Sequence, residues 1–353
     1  MNSKMVDNAP VKLLATPKVA IVASKGLGDG LIFLVIANNL QKNGFKVTFY
    51  SNFISHLQSW IPAISVKPFP NKSDLKGFAS QYDLVLSDAA SVITDASSKE
   101  KYTEIAKDYV FICMSRFSKD LIFDHSKLLT EKIKDNKKLK KLLPLAKASG
   151  TLISNLDKEC SMVERVAKFC KDILDLENVT IDNGLRPPDN LVYQKHKSRI
   201  VVHPESSNVA KNWYAKKFVR LARLLKCEGW DPVFIVSPAE RKEWKTKIGN
   251  EFLLPEFSKI SDLASFIYES GFMIGNDSGI AHLASNLKIP TLIIIKSTKK
   301  NYRWRPGWHA GEIVNAPFQL KFRGKHYWQY LVSVKKVFSA FNEFVERINE
   351  EKR

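Results

Sequence analysis

Three short stretches hold residues whose types and spacing could do chemistry. They are "SKGLGDG" at 24–30, "HPESSNVAKNW" at 203–213 and "GNDSGIAHLASNLKIPT" at 275–291. In the first, Gly26, Gly28 and Gly30 stand where a strand pattern gives way to a helix pattern. Glycines at such a junction let backbone N–H groups approach an anion. The fingerprint G-x-G-x-x-G is not completed: Leu31 takes the place of its third glycine, and no acid closes the next strand at "TFYSN". A nicotinamide dinucleotide is therefore not expected. Asp29 is the unusual residue, because a carboxylate repels phosphate. It makes sense facing a hydroxyl, whose proton it can take as a general base. The plainer alternative is a cap on a helix beginning at Gly30.

In the second stretch, Ser206 and Ser207 offer hydroxyl donors. Lys211 offers the compact charge with which lysine meets phosphate. The alternative is an ordinary polar loop. Trp213 is expected to pack on the helix that follows. In the third, Asp277 or Ser278 can cap a helix, and Gly279 leaves N–H groups open to a ligand. A helix N-terminus favours a diphosphate by up to about 2 kcal/mol in a partly buried setting. His282, one turn on, reads either as a core or capping histidine or as an acid.

The elements that must hold these turns follow from periodicity. In the first half, strand patterns "KVAIVA", "FKVTFYS", "YDLVLSDA" and "DYVFICMS" accompany the helix pattern "LIFLVIANNLQKNG", closed by Gly44. In the second, "SRIVVHPES", "PVFIVS", "FMIG" and "TLIII" alternate with "YAKKFVRLARLLKCEGW", "SDLASFIYES" and the helix of the third stretch. Such alternation predicts an α/β fold of two doubly wound parallel sheets. The expected division is a loose tail over 1–16, a Rossmann-like domain over 17–185, a linker over 186–197, a second such domain over 198–326 and a closing helix over 327–353. Open α/β sheets bind ligands at the C-terminal ends of their strands, where all three turns fall.

The 353 residues suit two domains, and 44% apolar residues suffice for two cores. Fifty-five Lys and Arg against thirty-six Asp and Glu give a net charge of +19, which attracts polyanions. The basic residues are spread along the chain and no base-reading motif occurs, so no specific nucleic-acid partner is expected. The stretch 127–147, "KLLTEKIKDNKKLKKLLPLAK", reads as a basic helix. It either packs its leucines on the domain or touches anionic lipid or a phosphorylated acceptor. Cys113, Cys160, Cys170 and Cys227 are scattered, which argues against a zinc site and for a reducing compartment. No apolar run approaches the roughly 18 residues of a spanning helix. The N-terminus lacks the features of a signal peptide. A cytoplasmic protein is expected, meeting a membrane only at its surface.

In their order along the chain, "GLGDG", "HPESSNVAKNW" and "GNDSGIAHLASNLKIPT" resemble family nine of the glycosyltransferases, the lipopolysaccharide heptosyltransferases and their relatives. The resemblance spans about residues 17 to 320. It implies a GT-B architecture, with the acceptor mainly on the first domain, the nucleotide-sugar mainly on the second, and a last helix crossing back to the first. It implies inverting transfer without a fixed metal or cofactor, most simply of heptose from ADP-heptose to a phosphorylated glycolipid, the lipopolysaccharide inner core. By motif match Asp29 takes the place of the catalytic base and Lys211 that of the donor-phosphate lysine. Ser206 and Ser207 match hydroxyl residues near the phosphates. Asp277, Ser278, Gly279 and His282 match the donor-binding loop, and Glu240 lies near a position that meets the ribose. A departure is the loop 296–311, "KSTKKNYRWRPGWHAG", where family members carry a small glycine-containing turn. It reads as a binder of donor or acceptor, or as a basic surface loop. Two other readings keep the fold: a different nucleotide-sugar in envelope glycan synthesis, or a non-catalytic protein that binds a nucleotide or phospholipid.

Overall fold

The computed structural model describes residues 16–88, 108–114, 129–131, 133, 137–157, 159–296, 302–318, 321–322 and 325–351. The expected tail, apart from Thr16, lies outside them, as do parts of the basic stretch 127–147 and residues 297–301 of the basic loop.

The first sheet holds β1 (Lys18–Val22), β2 (Lys46–Tyr50), β3 (Ser65–Lys67), β4 (Leu84–Asp88) and β5 (Tyr109–Ile112). All neighbours are parallel, in the order β3-β2-β1-β4-β5. Every residue of β4 and β5 is buried, as expected of strands covered on both faces. The second sheet holds β6 (His196–His203), β7 (Asp231–Phe234), β8 (Ser270–Asn276), β9 (Thr291–Ile295) and β10 (Gly311–Asn315). It is also parallel, in the order β10-β9-β8-β6-β7. Strand order reverses between β1 and β4 in one sheet and between β6 and β8 in the other. Ligands enter such sheets at these switch points.

The longer helices are α1 (Leu27–Lys42), α2 (Met162–Asp172), α3 (Ala215–Cys227), α4 (Arg241–Ile248), α5 (Ile260–Tyr268), α6 (Gly279–Asn286) and α7 (Val334–Glu351). Helix α1 begins at Leu27, not at Gly30. Asp29 thus sits inside its first turn, and α1 has no side-chain cap at all. That overturns the reading of Asp29 as a cap. The helix ends as expected, with Gly44 at φ +76, a left-handed position that glycine takes without cost. Thirteen of its sixteen residues are buried, so α1 is enclosed on every side. It packs on the first sheet and also against α6 of the second domain, within one apolar cluster that joins Leu31 and Leu34 to Ala281 and Leu283.

Helix α7 departs from expectation. Its residues Val334, Val337, Phe341, Phe344 and Ile348 form one apolar stripe. The stripe joins Ile200, Phe272 and Val314 of the second sheet, with Phe341 edge-on to Trp230 and to Phe272. The closing helix therefore packs on the second domain instead of crossing back to the first. The second sheet's own face supplies the apolar cover that the stripe requires. The described part of the basic stretch includes a 3-10 helix, Lys137–Leu142, and one α-helical turn, Leu143–Lys147. Pro144, which lacks an N–H, sits at the start of that turn. Leu142, Leu145 and Ala146 join the apolar core, and Lys141 donates to Asn43 O at 2.5 Å. This fits the reading in which the stretch packs its leucines on the domain.

Candidate active site

A cavity of about 760 Å³ opens between the two domains, at the switch points of both sheets. It is lined by Gly26, Gly28 and Asp29 from one side, and by Ser206, Ser207, Lys211, Glu240, Asp277, Ser278, Gly279 and His282 from the other. Residues far apart in sequence thus meet in one space. Gly30 is the exception: it does not line the cavity. A Cβ there would lie 2.9 Å from Ile54 Cγ1, so its hydrogen faces the core.

The five residues Gly275–Gly279 each do a separate job. A Cβ on Gly275 would stand 2.4 Å from His203 O, so only glycine allows β8 to run this close to β6. Asn276 is fully buried and ties the two donor-side turns together. Its amide donates to Pro204 O at 2.6 Å, and its carbonyl accepts from Trp213 N at 3.0 Å. Asp277, also buried, accepts from Lys211 Nζ at 2.9 Å. Ser278 caps α6 by accepting from Ala281 N, which resolves the choice between it and Asp277. A Cβ on Gly279 would meet Leu27 Cβ at 2.9 Å and Gly28 N at 3.0 Å. Conversely, a Cβ on Gly28 would meet His282 Cδ2 at 2.9 Å. The N-termini of α1 and α6 therefore touch through paired glycines. Both present the positive end of a helix to the cavity.

Lys211 and Asp277, assigned separate partners from sequence, are paired with each other. Lys211 is about half exposed while Asp277 is nearly enclosed, so the pair offers its lysine end to an entering ligand. Trp213 packs edge-on against Phe218 of α3 at 5.1 Å, as expected, and donates from Nε1 to Val332 O. Ser206 donates to Asn208 O and to Asn212 Oδ1. Glu205 accepts from Trp244 Nε1 at 2.7 Å and also bonds the Asn212 amide, which braces the same turn. One carboxylate oxygen of Glu240 accepts from Ser237 N at 2.9 Å.

Burial pushes the Asp29 carboxyl above its ordinary value, while His282, a hydrogen bond from Ser24 and Lys211 pull the other way. A buried carboxylate whose affinity for protons is raised is a better base than an exposed one. His282 is buried and its pKa is lowered, chiefly by loss of solvent. Its Nδ1 has no hydrogen-bond partner among the described residues, and its ring meets Trp308 edge-on at 6.1 Å. This is a buried histidine that also lines the cavity.

Sequence reasoning missed one whole wall. Pro255–Ile260, Leu263 and Arg241 also line the cavity, as do His203, Phe53 and Trp304. Arg241 holds that wall by donating to Leu254 O and Pro255 O and by pairing with Glu256 at 3.4 Å. His203 opens the quoted stretch 203–213 and Trp304 lies in the basic loop 296–311, but no motif announces the others; only the run from Pro255 to Lys259, ahead of the helix pattern "SDLASFIYES", marks a turn. Among the described residues no group of three or more His, Cys, Asp or Glu is placed to hold a metal, and no helix is long and apolar enough to cross a membrane.

The family model for glycosyltransferase family 9 (heptosyltransferase) matches residues 148–321. No curated protein matches the sequence. Among solved structures, the chain is similar to the E. coli heptosyltransferase WaaC with ADP. Identity there is 17% and the TM-score 0.62, over 93% of this chain and 99% of that one. It is similar to the E. coli ADP-heptose lps heptosyltransferase II at 14% identity and a TM-score of 0.58, over 94% and 99%. A glycosyl transferase family 9 structure from Veillonella parvula gives 13% and 0.55, over 95% and 98%. At such identities the likeness speaks for the fold, which is the expected GT-B architecture of two facing Rossmann-like domains.

Proposed function

We propose, from the match of residues 148–321 to the glycosyltransferase family 9 (heptosyltransferase) model, that this chain is an inverting glycosyltransferase that moves heptose from ADP-heptose to a lipopolysaccharide inner-core acceptor. One observation carries the reading: Asp29 on the first domain lines the same cavity as the Lys211–Asp277 pair on the second.

In this reading the nucleotide-sugar lies against the second domain. Glu240 takes the ribose, Ser206, Ser207 and Lys211 take the phosphates, and Asp277 takes sugar hydroxyls. Asp29 removes the proton from the acceptor hydroxyl. The oxygen attacks the anomeric carbon from the face opposite the diphosphate. As that bond forms, the bond from carbon to the diphosphate oxygen breaks, and its electron pair leaves with ADP. A single displacement inverts the centre. Lys211, with the N–H groups that open α6 behind Ser278 and Gly279, stabilises the charge that develops on the leaving group. With that positive charge supplied by the chain, the reading needs no resident metal.

The acceptor would be a phosphorylated glycolipid, approached from the cytoplasmic face of the inner membrane. The net charge of +19 supports that choice.

Titration calorimetry with ADP, UDP, GDP and NAD tests the donor. Selective binding of ADP is expected. Lys211→Ala should weaken it about 10- to 100-fold, the usual effect of losing a hydrogen bond to a charged group. A preference for UDP or GDP would keep the fold and reject ADP-heptose. Binding of none would favour the non-catalytic reading.

A further inference from the structure

His203 ends β6 at the second switch point, lines the cavity and is 8% exposed. The β6–β7 ladder stops just before it, with Ile235 N donating to Val202 O at 2.9 Å. The next contact is made by the ring, whose Nδ1 lies 2.8 Å from Ile235 O. A carbonyl oxygen can only accept, so Nδ1 carries the hydrogen and Nε2 keeps a lone pair. Nε2 has no hydrogen-bond partner among the described residues, and it is not one of the sealed, unpartnered atoms of the structure. It is therefore open to the cavity that the ring lines. Burial holds the imidazole below its ordinary pKa, which keeps it neutral and accepting.

The surroundings indicate what it accepts from. The turn 237–240 begins two residues after Ile235 and is closed by the Glu240 carboxylate, which accepts from Ser237 N. His203, Ile235, Ser237 and Glu240 thus form one wall of the cavity. Two acceptors on that wall, a neutral nitrogen and a carboxylate, suit a ligand edge that carries hydroxyl donors.

We propose that His203 Nε2 accepts a hydrogen bond from a ribose hydroxyl of the donor nucleotide, making His203 a specificity-determining residue for the hydroxyls of that ribose. This rests on the nucleotide-sugar reading of the cavity. The role is distinct from those of Lys211 and Asp277, because it selects the sugar of the nucleotide and not its charge.

The test titrates ADP, 2′-deoxy-ADP, 3′-deoxy-ADP and inosine diphosphate into the full chain and into His203→Asn. Asparagine retains an amide N–H for Ile235 O but has no atom at the Nε2 position. The wild type should bind one deoxy analogue about 3- to 10-fold more weakly than ADP, the range of one neutral hydrogen bond. In His203→Asn that penalty should vanish. An unchanged penalty in the variant, or no penalty in the wild type, would overturn the proposal. So would loss of discrimination against inosine diphosphate alone, since that assigns His203 to the base. If ADP fails to bind the wild type, the nucleotide reading falls and this inference with it; if ADP binds without the coupling, only this inference falls. Should the variant fail to fold, ¹⁵N spectra of histidine-labelled wild type give a second readout. The Nε2 resonance should move with ADP and not with the discriminated deoxy analogue, and equal movement with both would overturn the proposal.

Discussion

Asp29 carries two opposing demands. It sits in the first turn of α1, where the helix favours a negative charge, yet burial disfavours that charge and raises its pKa. A base must be ionised to act, so kcat/KM should fall as pH drops through this raised value. The acid limb of the pH profile is expected above the ordinary carboxylate value of about 4, and a limb at or below that value would argue against Asp29 as the base. The same shift bears on stability. A folded-state pKa raised above the unfolded one stabilises the fold only below the unfolded value, and the benefit is lost as pH rises through the folded value. At neutral pH the ionised group is therefore a liability. Asp29→Asn should raise Tm by ~1–3 °C at pH 7, and scanning calorimetry near pH 3 should show that gain gone. Asp29 was visible in sequence as the wrong charge for an anion loop. The Lys211–Asp277 pair was not, because 66 residues separate its members and only the β6–β8 neighbourhood brings them together.

At the scale of elements, the site is a contact between two helix starts. Gly28 and Gly279 leave no room for a Cβ between α1 and α6. Gly28→Ala should wedge the helices apart at Gly279 and His282, at a cost of about 1–3 kcal/mol to stability. ADP is expected to rest on the second domain, so its affinity should change little while transfer falls at least tenfold. Equal loss of both, by calorimetry and by turnover, would mean that the glycine contact shapes the donor site itself. The sheets were legible because their strands are buried apolar runs. Ser65–Lys67 was not, being only three residues long, and neither was Gly311–Asn315, an edge strand with Gly, Glu and Asn among its five. The start of α1 was misplaced because no capping side chain marks it. The stripe on α7 was readable, but a stripe does not say which face will cover it.

At the scale of the whole molecule, charge and the cleft work together. A surface carrying +19 will collect near anionic headgroups, at about 1 kcal/mol per basic residue close to the surface, and the attraction fades with salt. Co-sedimentation with vesicles containing phosphatidylglycerol should be strong at 50 mM salt and several-fold weaker at 300 mM, with little binding to phosphatidylcholine alone. Binding indifferent to salt or to headgroup charge would contradict peripheral docking by charge. On the proposed reading, the shared cavity of about 760 Å³ would let donor and acceptor groups, each held mainly by one domain, meet only when both are occupied.

The most direct measurement pairs turnover with binding in one substitution: transfer from ADP-heptose to a lipopolysaccharide inner-core acceptor, and ADP affinity, in wild type and in Asp29→Asn. Expected is ADP affinity within about threefold of wild type, with turnover lower by about 10²- to 10⁴-fold, the range for loss of a general base. Turnover near that of the wild type would remove Asp29 from the chemistry and contradict the assignment of the cavity.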